Sequence, residues 1–159
     1  MRQLILLRHA QAEPAQPGAS DTDRALTERG RLEAVAAAEA IAAAQLRIDE
    51  VLASPALRTR ETASLVAGRL SLAVPVNHVA ALYLGSPHAL LLALQNCRPT
   101  AQTLLMIAHN PGISELAHRL ARDARGIALR TAGVCRLTWA HDSWDKLGTT
   151  QASAFEVLR

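Results

Sequence analysis

Aromatic residues are scarce, with Phe, Trp and Tyr together making up 3% of the chain. A core must therefore come from Leu, Ile, Val and Ala, and the exposed stacking platforms that single-stranded nucleic acid requires are excluded. Lysine is nearly missing too. Lys146 stands alone, and the arginines are scattered as singles and pairs rather than gathered in a run. That pattern argues against a nucleic-acid partner, while the net charge of +3 favours anionic ligands without naming one. Cys97 and Cys135 form neither a disulfide framework nor a metal-ligand spacing, and read as buried free thiols. No stretch approaches the roughly 18 apolar residues of a membrane span, and Leu4 to Leu7 is too short an apolar run for a signal peptide. These absences predict a cytoplasmic protein without a membrane partner. Repeats and long linkers are also lacking, so residues 1–159 read as one domain, long enough to bury a core.

What is present alternates between short apolar runs and helix-like stretches, with half of the residues hydrophobic. Leu4 to Leu7, Glu50 to Ala53 and Thr103 to Ala108 predict strands. Val74 to Val76 predicts a short strand, and Val134 to Trp139 and Ala154 to Leu158 predict two more. Thr27 predicts the cap of a helix to about Gln45, with Leu32, Val35, Ala38, Ile41 and Ala42 on one face. Ser54-Pro55 and Ser86-Pro87 each combine a cap with proline at the first helical position. Asn110-Pro111 opens a further helix, with Ile113, Leu116, Ala117 and Leu120 on one side. Glu13 to Asp23 is the one plainly irregular loop. Strand–helix units with fully apolar strands predict a mostly parallel sheet covered on both faces, whose ligands gather at the carboxyl ends of the strands.

Polar groups cluster at those ends. Arg8 and His9 follow the first strand, Arg58 lies in the helix after the second, and His109 and Asn110 follow Thr103 to Ala108. Arginine offers paired donors that match two phosphate oxygens, and a helix N-terminus adds unpaired N–H groups and partial positive charge. Positive neighbours keep a histidine neutral, and neutral imidazole is the form that attacks phosphorus. His78, His88, His118 and His141 lack such company and read as structural.

Taken jointly, the motifs resemble the histidine phosphatase superfamily. Leu7-Arg8-His9-Ala10 is similar to its first signature, the Ser54 to Ala63 segment to its second, and Ala108-His109-Asn110-Pro111-Gly112 to its third. The short length and the Arg24 to Gly30 segment resemble the SixA type, the small phosphohistidine phosphatases. The resemblance implies a single α/β/α domain around a mostly parallel sheet, with no metal or cofactor required. It implies His9 as the nucleophile that becomes phosphorylated, Arg8 and Arg58 as clamps, and His109 as completing the pocket. Arg24, Asp21 and Asn110 are implied as substrate-binding. Ala10 stands where the superfamily commonly has glycine. Larger members carry a proton-donating carboxylate after the second motif, yet no Asp or Glu occurs between Glu61 and Glu115. An alkoxide leaving group gains much from a general acid, whereas imidazole can leave neutral, so the absence favours phosphohistidine. The expected partner is a phosphorylated protein, for instance a histidine phosphotransfer domain in signal transduction, or a small phosphorylated molecule. A small-molecule phosphomonoesterase and a non-catalytic phosphate-binding module are the alternative readings.

Overall fold

A computed structural model describes residues 1–159. Strand β1 (Arg2–Arg8) carries four consecutive fully buried apolar residues, and the strand Thr103–Ala108 is buried along its whole length. Side chains alternate between the two faces of a strand, so such runs are stable only where both faces are covered. Leu4 and Leu6 enter one core with Leu104 and Met106, whereas Ile5 and Leu7 enter a second with Leu105 and Ile107. Helices α1 (Glu28–Ala43) and, after strand β2 (Glu50–Ala53), α2 (Leu57–Arg69) cover the second core. Beyond strand β3 (Val76–His78), helix α3 (Pro87–Gln95) covers the first core. So does α4 (Gly112–Leu120), which follows β4 (Thr103–Ala108). The three layers are helices, sheet and helices.

Strands β5 (Val134–Trp139) and β6 (Ala154–Val157) complete a six-stranded sheet of order β3-β2-β4-β1-β5-β6. The first four run parallel, β5 is antiparallel to β1, and β6 is antiparallel to β5. Strands β2, β4 and β1 are thus neighbours, and their carboxyl ends deliver Ser54, His109 and His9 side by side. The ladder extends past the strand ends. Ser54 N–H donates to Ile107 C=O, His9 N–H to Ala108 C=O, and Ala132 N–H to His9 C=O. Ser54 and His9 are therefore set on backbone that is already hydrogen-bonded, and the His109 carbonyl accepts from Ile113 N–H in the first turn of α4.

Three local expectations are corrected. Thr27 does cap α1, accepting from Gly30 N–H, but the buried face is Gly30, Ala34, Ala37, Ala38 and Ile41 while Leu32 is 69% exposed. Gly30 decides this, because a Cβ there would lie 2.0 Å from the Gln11 carbonyl oxygen. The helix touches the chain after β1 through that glycine, and Leu32 falls on the opposite side. Ser54 is not the residue that caps α2, which begins at Leu57 after Ala56 without a side-chain cap; the Ser54 hydroxyl accepts from Ala56 N–H and pairs with His109 Nε2 at 2.7 Å. Strand β3 starts two residues later than the Val74 to Val76 expectation, because Pro75 has no N–H for a ladder. Ser86, by contrast, accepts from Ala89 N–H with Pro87 in the first turn, as expected.

Candidate active site

His9 sits half-buried at the end of β1, and its ring is oriented by one local contact. Nδ1 lies 2.8 Å from the Ala10 carbonyl oxygen. A carbonyl can only accept, so Nδ1 carries the proton and Nε2 holds the lone pair. Burial pushes the His9 pKa down to about 4, against the Ala10 hydrogen bond, and the charges of Arg58, Arg8 and Arg24 push it further the same way. At neutral pH His9 is an uncharged imidazole with a free lone pair.

His109 faces it across the end of β4, with ring centroids 5.0 Å apart. Its Nε2 lies 2.7 Å from the Ser54 hydroxyl and 3.4 Å from that of Thr59. Only 2% of the residue is exposed. Burial, then the proximity of His9 and Arg58, lowers its pKa to about 3. When Ser54 donates to Nε2, the proton of neutral His109 resides on Nδ1, a buried nitrogen with no partner in the protein.

Three arginines surround the two rings. Arg8 donates through Nη1 to the Leu129 carbonyl at 3.1 Å, while its buried Nε has no protein partner. Burial lowers its pKa, opposed by the charge of Glu33. Arg58, only 3% exposed, donates through Nη1 to the Asp21 carbonyl at 2.7 Å and through Nη2 to Oδ2 of the Asp21 carboxylate at 2.9 Å. Thr62 locks its helix to the segment after β1, since its hydroxyl donates to Arg58 C=O and accepts from Ala10 N–H. Arg24 donates to Oδ1 of Asp21 at 2.9 Å and through Nε to the Glu13 carbonyl. A short helical turn, Asp21–Asp23, carries Asp21 into this position from the irregular loop.

The fold therefore brings Arg8, His9, Asp21, Arg24, Arg58 and His109 together. The Asn110 side chain is engaged elsewhere: its amide donates to the Leu129 carbonyl, and its oxygen accepts from Ser114. That ties the segment before β5 to the start of α4, and it fixes the same carbonyl that Arg8 contacts. Tyr83 was missed by sequence reasoning. Its hydroxyl donates to Asp21 Oδ2 at 2.6 Å, its ring meets His109 edge-on at 5.6 Å, and the Arg58 guanidinium lies 6.0 Å from the ring centre. No motif marks it beyond its being the sole tyrosine. It arrives through Gly112, where a Cβ would lie 2.0 Å from the Gly85 carbonyl oxygen. That close approach lets the turn after Tyr83 pack on the start of α4. Ser54 and Thr59, the partners of His109, were likewise visible only as an expected cap and a helical residue.

Chemically, a neutral imidazole with a free lone pair lies among buried donors in front of the N-terminal turns of α2 and α4, which suits a phosphoryl group. The model of the histidine phosphatase superfamily (branch 1) matches residues 4–83. The chain belongs to that superfamily. Among solved structures, the proposed phosphohistidine phosphatase SixA of Agrobacterium tumefaciens is 28% identical, with a TM-score of 0.76, 86% of this chain and 90% of that chain being covered. The proposed phosphohistidine phosphatase SixA of Nakamurella multipartitia is 26% identical, with a TM-score of 0.78, over 98% of this chain and 95% of that one. An uncharacterized chloroplastic protein of Arabidopsis thaliana is 26% identical over 154 residues, 91% of this chain and 70% of the relative. Family and solved relatives support a phosphatase on an α/β histidine phosphatase fold of the SixA type. No helix is long and apolar enough to cross a membrane.

Proposed function

We propose that the chain is a metal-independent phosphatase that works through a phosphorylated His9 and removes phosphate from phosphohistidine on a protein. One observation carries the reading. Two buried donors without protein partners, Arg8 Nε and His109 Nδ1, accompany a histidine whose Nε2 lone pair is free. Buried donors normally find acceptors, and a phosphoryl group offers three oxygens to donors arranged around the atom under attack. In the first step Nε2 of His9 attacks phosphorus in line and the leaving group departs with the old bond pair. Water then attacks the phosphorylated His9 and returns the ring to its starting state. Arg8, Arg24, Arg58 and His109 stabilise the charge on the transferring group in both steps. A protein-borne phosphohistidine is favoured by the absence of any Asp or Glu from 62 to 114, where a leaving-group acid would lie, and by the proposed SixA activity of the two solved relatives.

The test is phosphate release from a phosphohistidine-bearing protein domain in excess chelator. Wild-type protein is expected to turn over, and His9→Ala to lose roughly a thousandfold or more. Activity retained in His9→Ala would refute the assignment of the nucleophile. A wild type that is silent on phosphohistidine and active on small phosphate esters would move the substrate to that class.

A further inference from the structure

Asp21 is an unexpected neighbour for a phosphate. An ionised carboxylate repels a phosphoryl dianion, yet this one lies between two of the three arginines of the cluster. Three donors hold it: Arg24 Nη1 on Oδ1, and both Arg58 Nη2 and the Tyr83 hydroxyl on Oδ2. A carboxylate offers about four lone-pair sites, two on each oxygen. Oδ2 is filled, whereas Oδ1 keeps one site, and the side chain is 39% exposed. The Tyr83 hydrogen bond, then that of Arg24, holds the carboxyl far below the usual carboxylate range. Asp21 has no proton to give at neutral pH. It has one acceptor position to offer, beside the phosphate-binding arginines and open to solvent.

We propose that Asp21 accepts a hydrogen bond from the leaving group, and that this contact makes the site select phosphate on an imidazole nitrogen over phosphate esters. This deepens the reading above and rests on it. In a phosphorylated imidazole the nitrogen away from phosphorus carries a proton, and Asp21 holds that N–H. His9 Nε2 gives its lone pair to phosphorus, the old P–N bond pair passes to the leaving nitrogen, and neutral imidazole departs with the proton it already had. No proton has to cross the site. An ester oxygen leaving at the same place emerges as an alkoxide that needs a proton. Asp21 cannot supply it and repels the new charge. Tyr83 is the positioning residue: its hydroxyl fixes Oδ2, so the open site on Oδ1 keeps its direction. The same arrangement gives a reason for a chain of this superfamily to do without an acid after its second motif.

The experiment compares kcat/KM on a phosphohistidine-bearing protein domain with kcat/KM on p-nitrophenyl phosphate, whose leaving group departs without an acid. Wild type, Asp21→Asn and Tyr83→Phe are measured. Asp21→Asn is expected to slow both reactions, because Arg58 and Arg24 lose a partner. The phosphohistidine reaction falls further, so that the ratio drops about tenfold, the difference between a charged and a neutral acceptor. Tyr83→Phe shifts the ratio the same way by about twofold to threefold. An unchanged or higher ratio in both variants, with both reactions slowed alike, would reduce Asp21 to an orienter of arginines and overturn the proposal. If Asp21→Asn fails to fold, Tyr83→Phe decides by the same ratio. A wild type that cleaves the ester and not the phosphohistidine overturns the proposed function itself, an outcome distinct from an unchanged ratio.

Discussion

Strand β1 has an arginine at each end, and the protein engages the two to different extents. At its amino end Arg2 is buried with Nη1 donating to the Ala101 carbonyl and Nη2 to those of Pro99 and Asp142, and only its buried Nε lacks a protein partner. It ties three chain segments together. At its carboxyl end Arg8 makes one hydrogen bond, to Leu129, and keeps a buried Nε without a protein partner. The amino end also has a groove of about 430 Å³ lined by residues that include Leu46, Arg47, Asp49, Leu70 and Arg98. There, however, the exposed Arg47 is matched with Asp49 and the exposed Arg98 with the buried Glu50. Helices α1 and α2 end beside that groove, whereas α2 and α4 begin at the carboxyl edge of the sheet. Helix C-termini repel an anion and N-termini attract one. The lesson is that helix polarity, with the two unpartnered donors Arg8 Nε and His109 Nδ1 gathered beside His9, favours an anion at the carboxyl edge, whereas the amino end has a single unpartnered donor, Arg2 Nε.

The sharpest way to break this comparison is to truncate one arginine at each end. Arg58→Ala should cut turnover roughly a hundredfold to a thousandfold, as removal of a preorganised donor does, while Arg98→Ala should leave it within about twofold. Equal losses, with both variants folded by thermal melting, would dissolve the distinction. A second measurement sharpens it. Histidine NMR titration should find His9 neutral until the pH falls to about 4 and His109 until about 3. In Arg58→Ala the His9 value should rise only part of the way to its ordinary 6.5, since burial is the larger cause. The sign carries over to stability. The unfolded chain takes up these two protons below about 6.5 and the native chain does not until about 4, so stability falls as pH drops through that window. Titration of His9 near its ordinary value in the wild type would count against the electrostatic account. The smallest effect belongs to the amino end. Asp49 accepts from Gln102 N–H and Thr103 N–H, so Asp49→Ala should cost about 1 kcal/mol in urea unfolding with turnover unchanged.

The strand runs were legible because burial on both faces leaves an unbroken apolar signature, as in Leu4 to Leu7 and Leu104 to Ala108. The Thr27 and Ser86 caps were legible because the bonds they make are local. Where a residue had two possible partners, local reasoning chose the nearer one. Ser54 was expected to cap a helix three residues away and instead pairs with His109, 55 residues on. Leu32 looked like a core residue until the close contact of Gly30 with Gln11 set the rotation of α1.

The sequence by itself determined the layered α/β class, the strand ends at which polar groups gather, and the motif residues Arg8, His9, Arg58 and His109. These follow from periodicity and short-range spacing, which act within a few residues of the chain. The tertiary structure alone decided that β2, β4 and β1 are neighbours, and that Asp21 reaches both Arg24 and Arg58. It alone also decided that Tyr83 completes the set. Those contacts join residues far apart in the chain, as Leu4 pairs with Leu104 and Asp21 meets Tyr83 across 62 residues. They depend on the order of the strands and the rotation of the helices, which the packing of the two cores fixes and which no short-range spacing encodes.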